Sequence, residues 1–393
     1  MLSLDSIQAA AAALFDKISA SGNHLTPAAV LQINGRPFGS HAVSRIISVQ
    51  LADNRGFEAD ELTIELDDSD GLLAIPPLES KIKCWLGYAE TGVVYKGEYK
   101  MSEFSHSGAP DKLSITARAA DLADSLAEQQ EKSWHKQTLY AVVEQIAKRH
   151  GYDYRIGEDY RQTQIAHIDQ TSESDASFLT RLADLYDAIA TVKNGILLFM
   201  PKGQAVTAGG QPVPPVLLTR MSGDGHSFAY SNTEAYNAVR ACYIDKKSGK
   251  KKEVVINKDN LVPVKTTQTT TRKYKTKRKD GKTHKVTTKT VSVTKVISAD
   301  GLKVKTLRHL YAGQATAENG ARAAFKRIKR GAAEFKINLA AGRPDLYPET
   351  PVEVSGFKPE IDAEDWLIAR ITHSLGDGGY TASLELESLL DLG

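Results

Sequence analysis

The chain has 393 residues, more than one hydrophobic core usually holds, so we expect two to four domains. With 41% hydrophobic and 25% charged residues and a net charge of +2, the composition fits a folded globular protein and by itself favours neither nucleic acid nor an acidic partner. No apolar run approaches the roughly 20 residues that span a bilayer, and Leu4 to Ile18 lacks the basic start of a secretory signal, so membrane insertion is not expected.

The first hundred residues change from a helical to a strand pattern. Residues 5–20 predict a helix that packs on its own domain or, as an open alternative, on a neighbouring subunit. From Pro27 to Arg118, apolar residues alternate with a period of two, most clearly at Ile46–Leu51 and Leu62–Leu66. Their regular short spacing predicts an antiparallel barrel or sandwich over residues 27–118.

Two features of this region could indicate chemistry. Asp67–Gly71 carries three carboxylates but lacks the ligand spacing of an EF-hand, so we expect a solvated turn rather than a calcium site. Cys84 lies far from Cys242, the other cysteine, and both have apolar strand-like contexts. Free buried thiols are expected, with a disulfide as the alternative, and no metal or cofactor is predicted.

Residues 119–205 predict an α+β domain. Leu139 to His150 has helical spacing and ends at Gly151. A second helix follows the polar run Thr171–Asp175, in which Ser172 and Asp175 predict a capping box. Asn194-Gly195 then predicts a hairpin between two apolar strands.

The rest of the chain predicts a second strand-rich domain, formed by residues 206–262 and 332–393, with an insertion. Residues 246–299 predict a projecting two-stranded hairpin around Asp280-Gly281. Residues 300–331 contain a helix, with Thr316 as its cap, that we associate with the α+β domain. The overall prediction is an α+β, mainly β fold.

The insertion carries a dense group of cations, which we call the basic ribbon. We favour a ribbon that is solvated or that docks on a protein, and DNA contact is the alternative. Recognition of nucleic acid usually needs several interleaved aromatic residues, and this segment has one. The candidate partner-contact residues are Arg272, Lys273, Tyr274, Lys275, Lys277, Arg278, Lys279, Lys282 and Lys285.

A search for catalytic motifs finds no nucleophile elbow, zinc-protease motif, P-loop or dinucleotide fingerprint. His167 with Asp169, Glu173 and Asp175 is the best candidate for acid–base chemistry. Because carboxylates at a helix start also stabilise its N-terminus, we expect a structural role there and no enzyme.

Several segments, in a fixed order, resemble the phage late control protein D family, the tail baseplate hubs of contractile phages. The chain is also similar to the hub half of VgrG spike proteins. The resemblance covers most of the chain and is weakest before Pro27 and between Lys246 and Ala299. It rests on Ile47–Leu73, Cys84–Tyr88, Gly108–Asp111, Trp134–Gly151, Gln170–Gly203, Gly356–Asp362 and Gly379–Glu387.

The resemblance implies two small antiparallel β-barrels flanking an α/β domain, and a homotrimeric ring. Such a ring adapts the six-fold tail tube to the three-fold central spike. Spike protein, tail tube protein, baseplate wedge proteins and the tape measure protein are the implied partners. The implied location is the virion baseplate, after assembly in the host bacterial cytoplasm.

Three alternatives stay open. A tailocin would use an almost identical hub. A type VI secretion hub would carry a fused spike β-helix after the second barrel, whereas this sequence ends at Gly393. A nucleic-acid-binding late regulator would use the basic ribbon and would show salt-dependent DNA affinity.

Overall fold

The computed structural model describes nine stretches of the chain: residues 25–119, 126–193, 195–203, 213–231, 236–245, 248–261, 264–273, 284–293 and 301–389. The helix predicted over residues 5–20 lies outside them. The chain divides into two compact units. Unit 1 is Met1–Ser231 with Arg330–Asp391, and unit 2 is Asn232–Lys329 with Leu392–Gly393.

The first strand-rich region folds as its alternating pattern predicts. Val49 and Leu51 are buried, as are Leu62 and Ile64 on the neighbouring strand, so one face of each strand lines the core. The elements are β1 (Pro27–Ile33), β2 (Arg36–Pro37), α1 (Ser40–Val43), β3 (Ile46–Asn54), β4 (Glu61–Asp67), β5 (Lys81–Tyr88), β6 (Gly92–Ser107) and β7 (Lys112–Ala119).

The α+β region has its own core, in which the apolar stripes of two helices meet Trp134 and Phe199. Its elements are β8 (Gln129–Thr138), α2 (Leu139–Arg149), β9 (Asp153–Ile156), β10 (Gln164–Ser174), α3 (Asp175–Tyr186), β11 (Ala188–Lys193) and β12 (Ile196–Pro201). The predicted hairpin is confirmed, since Lys193 pairs with Ile196 across the turn.

The predicted cap of α3 is wrong. The hydroxyl of Ser174, not that of Ser172, accepts the N–H of Ser177 at 3.1 Å. Pairing with β8 continues as far as Ser174 opposite Gln129, so β10 extends past Ser172, which takes a positive φ of 46°. The pairing of β10 with β8 therefore delays the helix start beyond the local capping pattern.

The C-terminal part of unit 1 is again rich in strands. Its elements are β13 (Val216–Thr219), β14 (Gly223–Tyr230), β20 (Ala333–Leu339), β21 (Pro351–Ser355), α5 (Pro359–Asp362), β22 (Trp366–Gly376) and β23 (Gly379–Ser388). Alternate residues of β20 and β23, including Phe335, Ile337, Leu384 and Leu386, form its buried core.

Unit 2 contains β15 (Ala238–Ile244), β16 (Lys251–Asn257), β17 (Val264–Lys273), β18 (His284–Val293), β19 (Val304–Tyr311) and most of α4 (Gln314–Arg330). The sequence predicts that residues 300–331 associate with the α+β domain. In the structure, Ala317, Ala321 and Phe325 of α4 share a buried cluster with Val239 and Ile256.

Thirteen strands of unit 1 form one continuous sheet, in the order β14-β20-β23-β22-β3-β4-β7-β6-β5-β1-β2, with β21 and β13 branching from β22. The sheet is open in the described residues. The fold is thus mainly β, as predicted, and the two strand-rich regions are joined through the pairing of β22 with β3.

Candidate functional site

The structure places only part of the basic ribbon. Arg272 and Lys273 lie at the end of β17, and Lys285 lies on the antiparallel β18, opposite Arg272. The remaining ribbon residues, Tyr274, Lys275, Lys277, Arg278, Lys279 and Lys282, lie outside the described residues. The ladder therefore fixes the strand register around the ribbon but not the arrangement of its charges.

The four residues considered for acid–base chemistry have different partners: His167 and Asp169 pair with each other, and Glu173 pairs with Arg181 at 2.7 Å. His167 lies 3.0 Å from Asp169, and its Nδ1 atom lies 3.0 Å from Nδ1 of His135. All three side chains are on the exposed face of the β8–β10 strand pair. Asp175 is instead fully buried. Its carboxylate accepts hydrogen bonds from Arg149 at 2.9 Å and Gln170 at 2.8 Å and lies 2.7 Å from His150 Nε2. Asp175 therefore anchors the start of α3.

The acidic turn is organised by a cation from the protein itself. The guanidinium of Arg45 binds the Asp70 carboxylate through two nitrogens, and the hydrogen bond from Arg45 lowers the pKa of Asp70. Asp67 accepts the N–H of Ser69 at 2.9 Å. Among the described residues, no group of three or more potential ligands is arranged to hold a metal.

A partly buried ion network, which was not predicted from the sequence, links the three regions of unit 1. Arg55 follows β3 and contacts Glu349 at 2.5 Å and Glu387 of β23 at 2.6 Å. Arg330 donates to both oxygens of Asp187, the residue that ends α3. Burial raises the pKa of the Glu349 carboxyl, and the nearby charge of Arg55 opposes this shift by favouring the ionised carboxylate. No local motif marks these pairs, since their members lie far apart in sequence.

A second buried polar group lies where the C-terminal strands meet the first region. Lys96 of β6 donates to the Leu346 carbonyl at 3.1 Å and lies 4.0 Å from the centre of the Tyr347 ring. Burial lowers the pKa of the Lys96 ammonium to about 8. The fully buried His373 lies 2.9 Å from the Tyr380 hydroxyl through Nδ1. These contacts fix the fold and bring no nucleophile to the surface.

The exposed apolar side chains of unit 1 include two groups beside strand edges. The loop between β4 and β5 exposes Leu72, Ile75 and Leu78, and the neighbouring part of β6 exposes Phe104. At the far end of the sheet, Tyr230 is 69% exposed on β14, which pairs only with β20 among the described strands. The apolar run from Leu72 to Leu78 within a loop was the signal available in the sequence.

Strand edges and apolar side chains that remain uncovered are typical of proteins that associate through β-sheets. No described helix is long and apolar enough to cross a membrane. Unit 1 therefore defines an assembly protein built on an open sheet.

Comparison with known proteins identifies the family. The model of the phage tail baseplate hub (GPD) family matches residues 89–379, and the chain belongs to this family. The probable baseplate hub protein of Escherichia phage 186 is 41% identical over 378 residues, covering 93% of this chain and 94% of that protein. The probable baseplate hub protein of Escherichia phage P2 is 39% identical over 367 residues, with the same coverage.

Solved structures share the fold at low sequence identity. A 43 kDa tail protein of prophage MuSo2 from Shewanella oneidensis aligns with a TM-score of 0.57 and 16% identity, covering 92% of this chain and 98% of that one. An Escherichia coli component of the type VI secretion system, described as similar to phage T4 tail proteins gp27 and gp5, aligns with a TM-score of 0.52 and 14% identity. That match covers 92% of this chain and 77% of the other.

Proposed function

We propose that this chain is the structural hub subunit of a contractile phage tail baseplate. Three copies form a ring that joins the six-fold tail tube to the three-fold central spike. The observation that carries the proposal is the 41% identity to a probable baseplate hub protein over nearly the whole of both chains. The shared fold with other tail proteins supports it.

Each region has a part in this hub. Residues 27–118 act as a first tube-like β-barrel, and residues 206–262 with 332–393 act as a second. Residues 119–205 form the α+β domain between them. Separate buried clusters in the first region, the α+β domain and the C-terminal strands support this division, except for β15 and β16, which belong to a further cluster in unit 2. Two similar domains in each of three subunits approximate six-fold symmetry on the tube side.

The ring is stabilised mainly by apolar side chains and backbone edges that adjoining subunits cover. A protein that stays monomeric usually guards its edge strands with lysine, proline or bulges. The exposed edge strand β14, Gly223–Tyr230, has one irregularity at Gly223–Gly225 in its pairing with β20, and the rest of the strand carries no lysine and no proline. Such an edge readily accepts another strand.

The partners of the hub are a second and a third copy of itself, the spike protein, the tail tube protein, the wedge proteins and the tape measure protein. Subunits assemble in the host cytoplasm and remain in the virion baseplate. The basic ribbon contacts one of these partners. Replacement of Lys277, Arg278 and Lys279 with glutamine should then weaken partner binding without changing the mass of the ring. If these variants lose salt-dependent DNA binding instead, the regulator alternative gains support.

Co-expression with a central spike protein of a contractile phage tail tests the function. We expect a complex with three copies of each protein that survives size-exclusion chromatography. A spike that elutes alone while the hub forms a ring would contradict the joining role. A matched control uses the chain with Lys336→Met, an exposed substitution on the strand face, which should bind the spike normally.

A further inference from the structure

The two strand-rich regions of unit 1 are a structural repeat. The first repeat has the strand order β3-β4-β7-β6-β5, and the second has the order β14-β20-β23-β22-β21. The fifth strand of each repeat gives a reference point, because its first residue pairs with a defined residue of the fourth strand. Lys81 of β5 pairs with Lys100 of β6, and Pro351 of β21 pairs with Leu367 of β22. Lys100 therefore corresponds to Leu367.

The strand pairings extend this correspondence across both repeats. Four residues on, Phe104 corresponds to Ile371. The row through Phe104 continues to Ile115, Ile64 and Val49. The row through Ile371 continues to Leu384, Ile337 and His226. Val49 of β3 thus corresponds to His226 of β14, and Asp53, four residues on, corresponds to Tyr230.

Within one chain, the second repeat is joined to the first by a strand pair. Arg370–Gly376 of β22 pairs antiparallel with β3, which places Ile371 opposite Asp53. Ile371 is fully buried and Asp53 is 4% exposed. We call this β22–β3 pair the seam. It shows that the outer edge of β22 and the outer edge of β3 pair with each other.

The counterpart edges have no strand partner among the described residues. β6 pairs with β5 only as far as Lys100, and residues 102–107 are exposed. β14, the counterpart of β3, pairs with β20 alone. At the corresponding positions of these edges, Phe104 is 40% exposed and Tyr230 is 69% exposed, whereas Ile371 and Asp53 are buried.

The loops before the fifth strand show the same contrast. In the second repeat, the loop before β21 lies on the first repeat, with Leu346 fully buried and the Gly342 carbonyl accepting the Tyr88 hydroxyl at 3.0 Å. In the first repeat, the corresponding loop before β5 exposes Leu72, Ile75 and Leu78. This loop lacks the cover that its counterpart has.

From this we propose that the seam within the chain is repeated between chains. Residues 102–107 of β6 in one copy pair antiparallel with β14 of the next copy, with Phe104 opposite Tyr230. The loop at Leu72–Leu78 then packs on the second repeat of that copy. Such a head-to-tail contact joins different surfaces of identical subunits and closes into a ring when the rotation permits. The inference rests on the proposed ring and names the residues that close it.

Site-directed cross-linking tests the pairing in the full-length chain. In a Cys242→Ser background, Phe104→Cys with Tyr230→Cys should give a covalent species of three chains on mild oxidation, since directly opposed strand residues lie within disulfide reach. The matched control is Phe104→Cys with His226→Cys, which is four residues out of register and should stay uncross-linked. Equal cross-linking in both pairs, or none in the first, would overturn the pairing.

The mass of the unmodified chain separates the two proposals. A three-chain ring without the Phe104–Tyr230 cross-link would reject this strand pairing and leave the hub ring standing. Single chains at every concentration, with no cross-link, would count against both.

Charge substitution gives an independent measurement. Phe104→Lys and Tyr230→Lys should each lower the fraction of ring at least tenfold at a fixed concentration. Phe104→Lys combined with Tyr230→Glu should restore most of it, because opposed charges attract across a strand pair. Failure of the double variant to recover would argue against direct opposition.

Discussion

At the scale of single residues, unit 1 depends on opposite charges that pair in buried and partly buried positions. Arg55 and Glu349 come from two separate strand connections and Glu387 from β23, and Arg330 ties Asp187 into the same region. A buried charge that loses its partner remains costly, because no water replaces the lost contact. These residues therefore determine whether the regions of unit 1 hold one arrangement.

Arg55→Met should lower the free energy of unfolding by about 1–3 kcal/mol, because the largely buried Glu349 would lose its cation. Urea unfolding measures the loss. Lys336→Met is the control, since its partner Glu385 is exposed and the change should stay within about 0.5 kcal/mol. Adding Glu349→Gln to Arg55→Met should recover part of the stability. Equal losses in Arg55→Met and Lys336→Met would contradict the role of the network.

Lys96 predicts a pH dependence of stability. Its pKa is about 8 in the folded protein, below its ordinary value of 10.5, because burial disfavours the charged form. Between these pH values the unfolded chain binds a proton that the folded chain does not, so stability rises with pH. Relative to Lys96→Met, the wild type should gain at most about 1.4 kcal/mol per pH unit above pH 8 and nothing below it. Parallel pH profiles for the two proteins would disprove this.

At the scale of elements, local sequence patterns predicted much of the secondary structure. The period of two located β3 and β4, and the helical spacing of Leu139, Val142 and Ile146 located α2. The start of α3 was missed because the local capping pattern of Ser172 and Asp175 does not show how far β10 extends. Pairing of β10 with β8, a tertiary contact, decided in favour of Ser174.

The two serines give a direct test of that cap. Ser174→Ala should cost about 1 kcal/mol, since the N–H of Ser177 loses its acceptor. Ser172→Ala should cost clearly less, because the Ser172 hydroxyl makes only a long contact of 3.4 Å with the exposed Glu131. Thermal unfolding of both variants provides the comparison. A larger loss for Ser172→Ala would restore the cap that the sequence suggested.

At the scale of the whole molecule, the sequence predicted two strand-rich regions around an α+β part but not how they join. The pairing of β22 with β3 connects residues about three hundred positions apart, and no local period encodes such a contact. The repeat was likewise invisible in the sequence, because Phe104 and Ile371, or Asp53 and Tyr230, share a place in the ladder without sharing chemistry. The order of the strands is the same in the two regions, although their side chains differ.

The candidate contact surfaces also differ in whether the sequence could predict them. The basic ribbon could be recognised from composition alone, and whether it binds a partner stays a prediction. The exposed edges of β6 and β14 could not be recognised, because exposure depends on which strands remain unpaired after folding. The apolar run at Leu72–Leu78 was visible in the sequence, yet only its exposure shows that it lacks a covering surface.

The central claim is that this family member works as a ring of three subunits. Light scattering on the purified chain, coupled to size-exclusion chromatography over a wide range of concentrations, tests it most directly. We predict a species of three chains whose fraction grows with concentration and falls in Tyr230→Lys. A dimer that persists at all concentrations would contradict the three-fold ring.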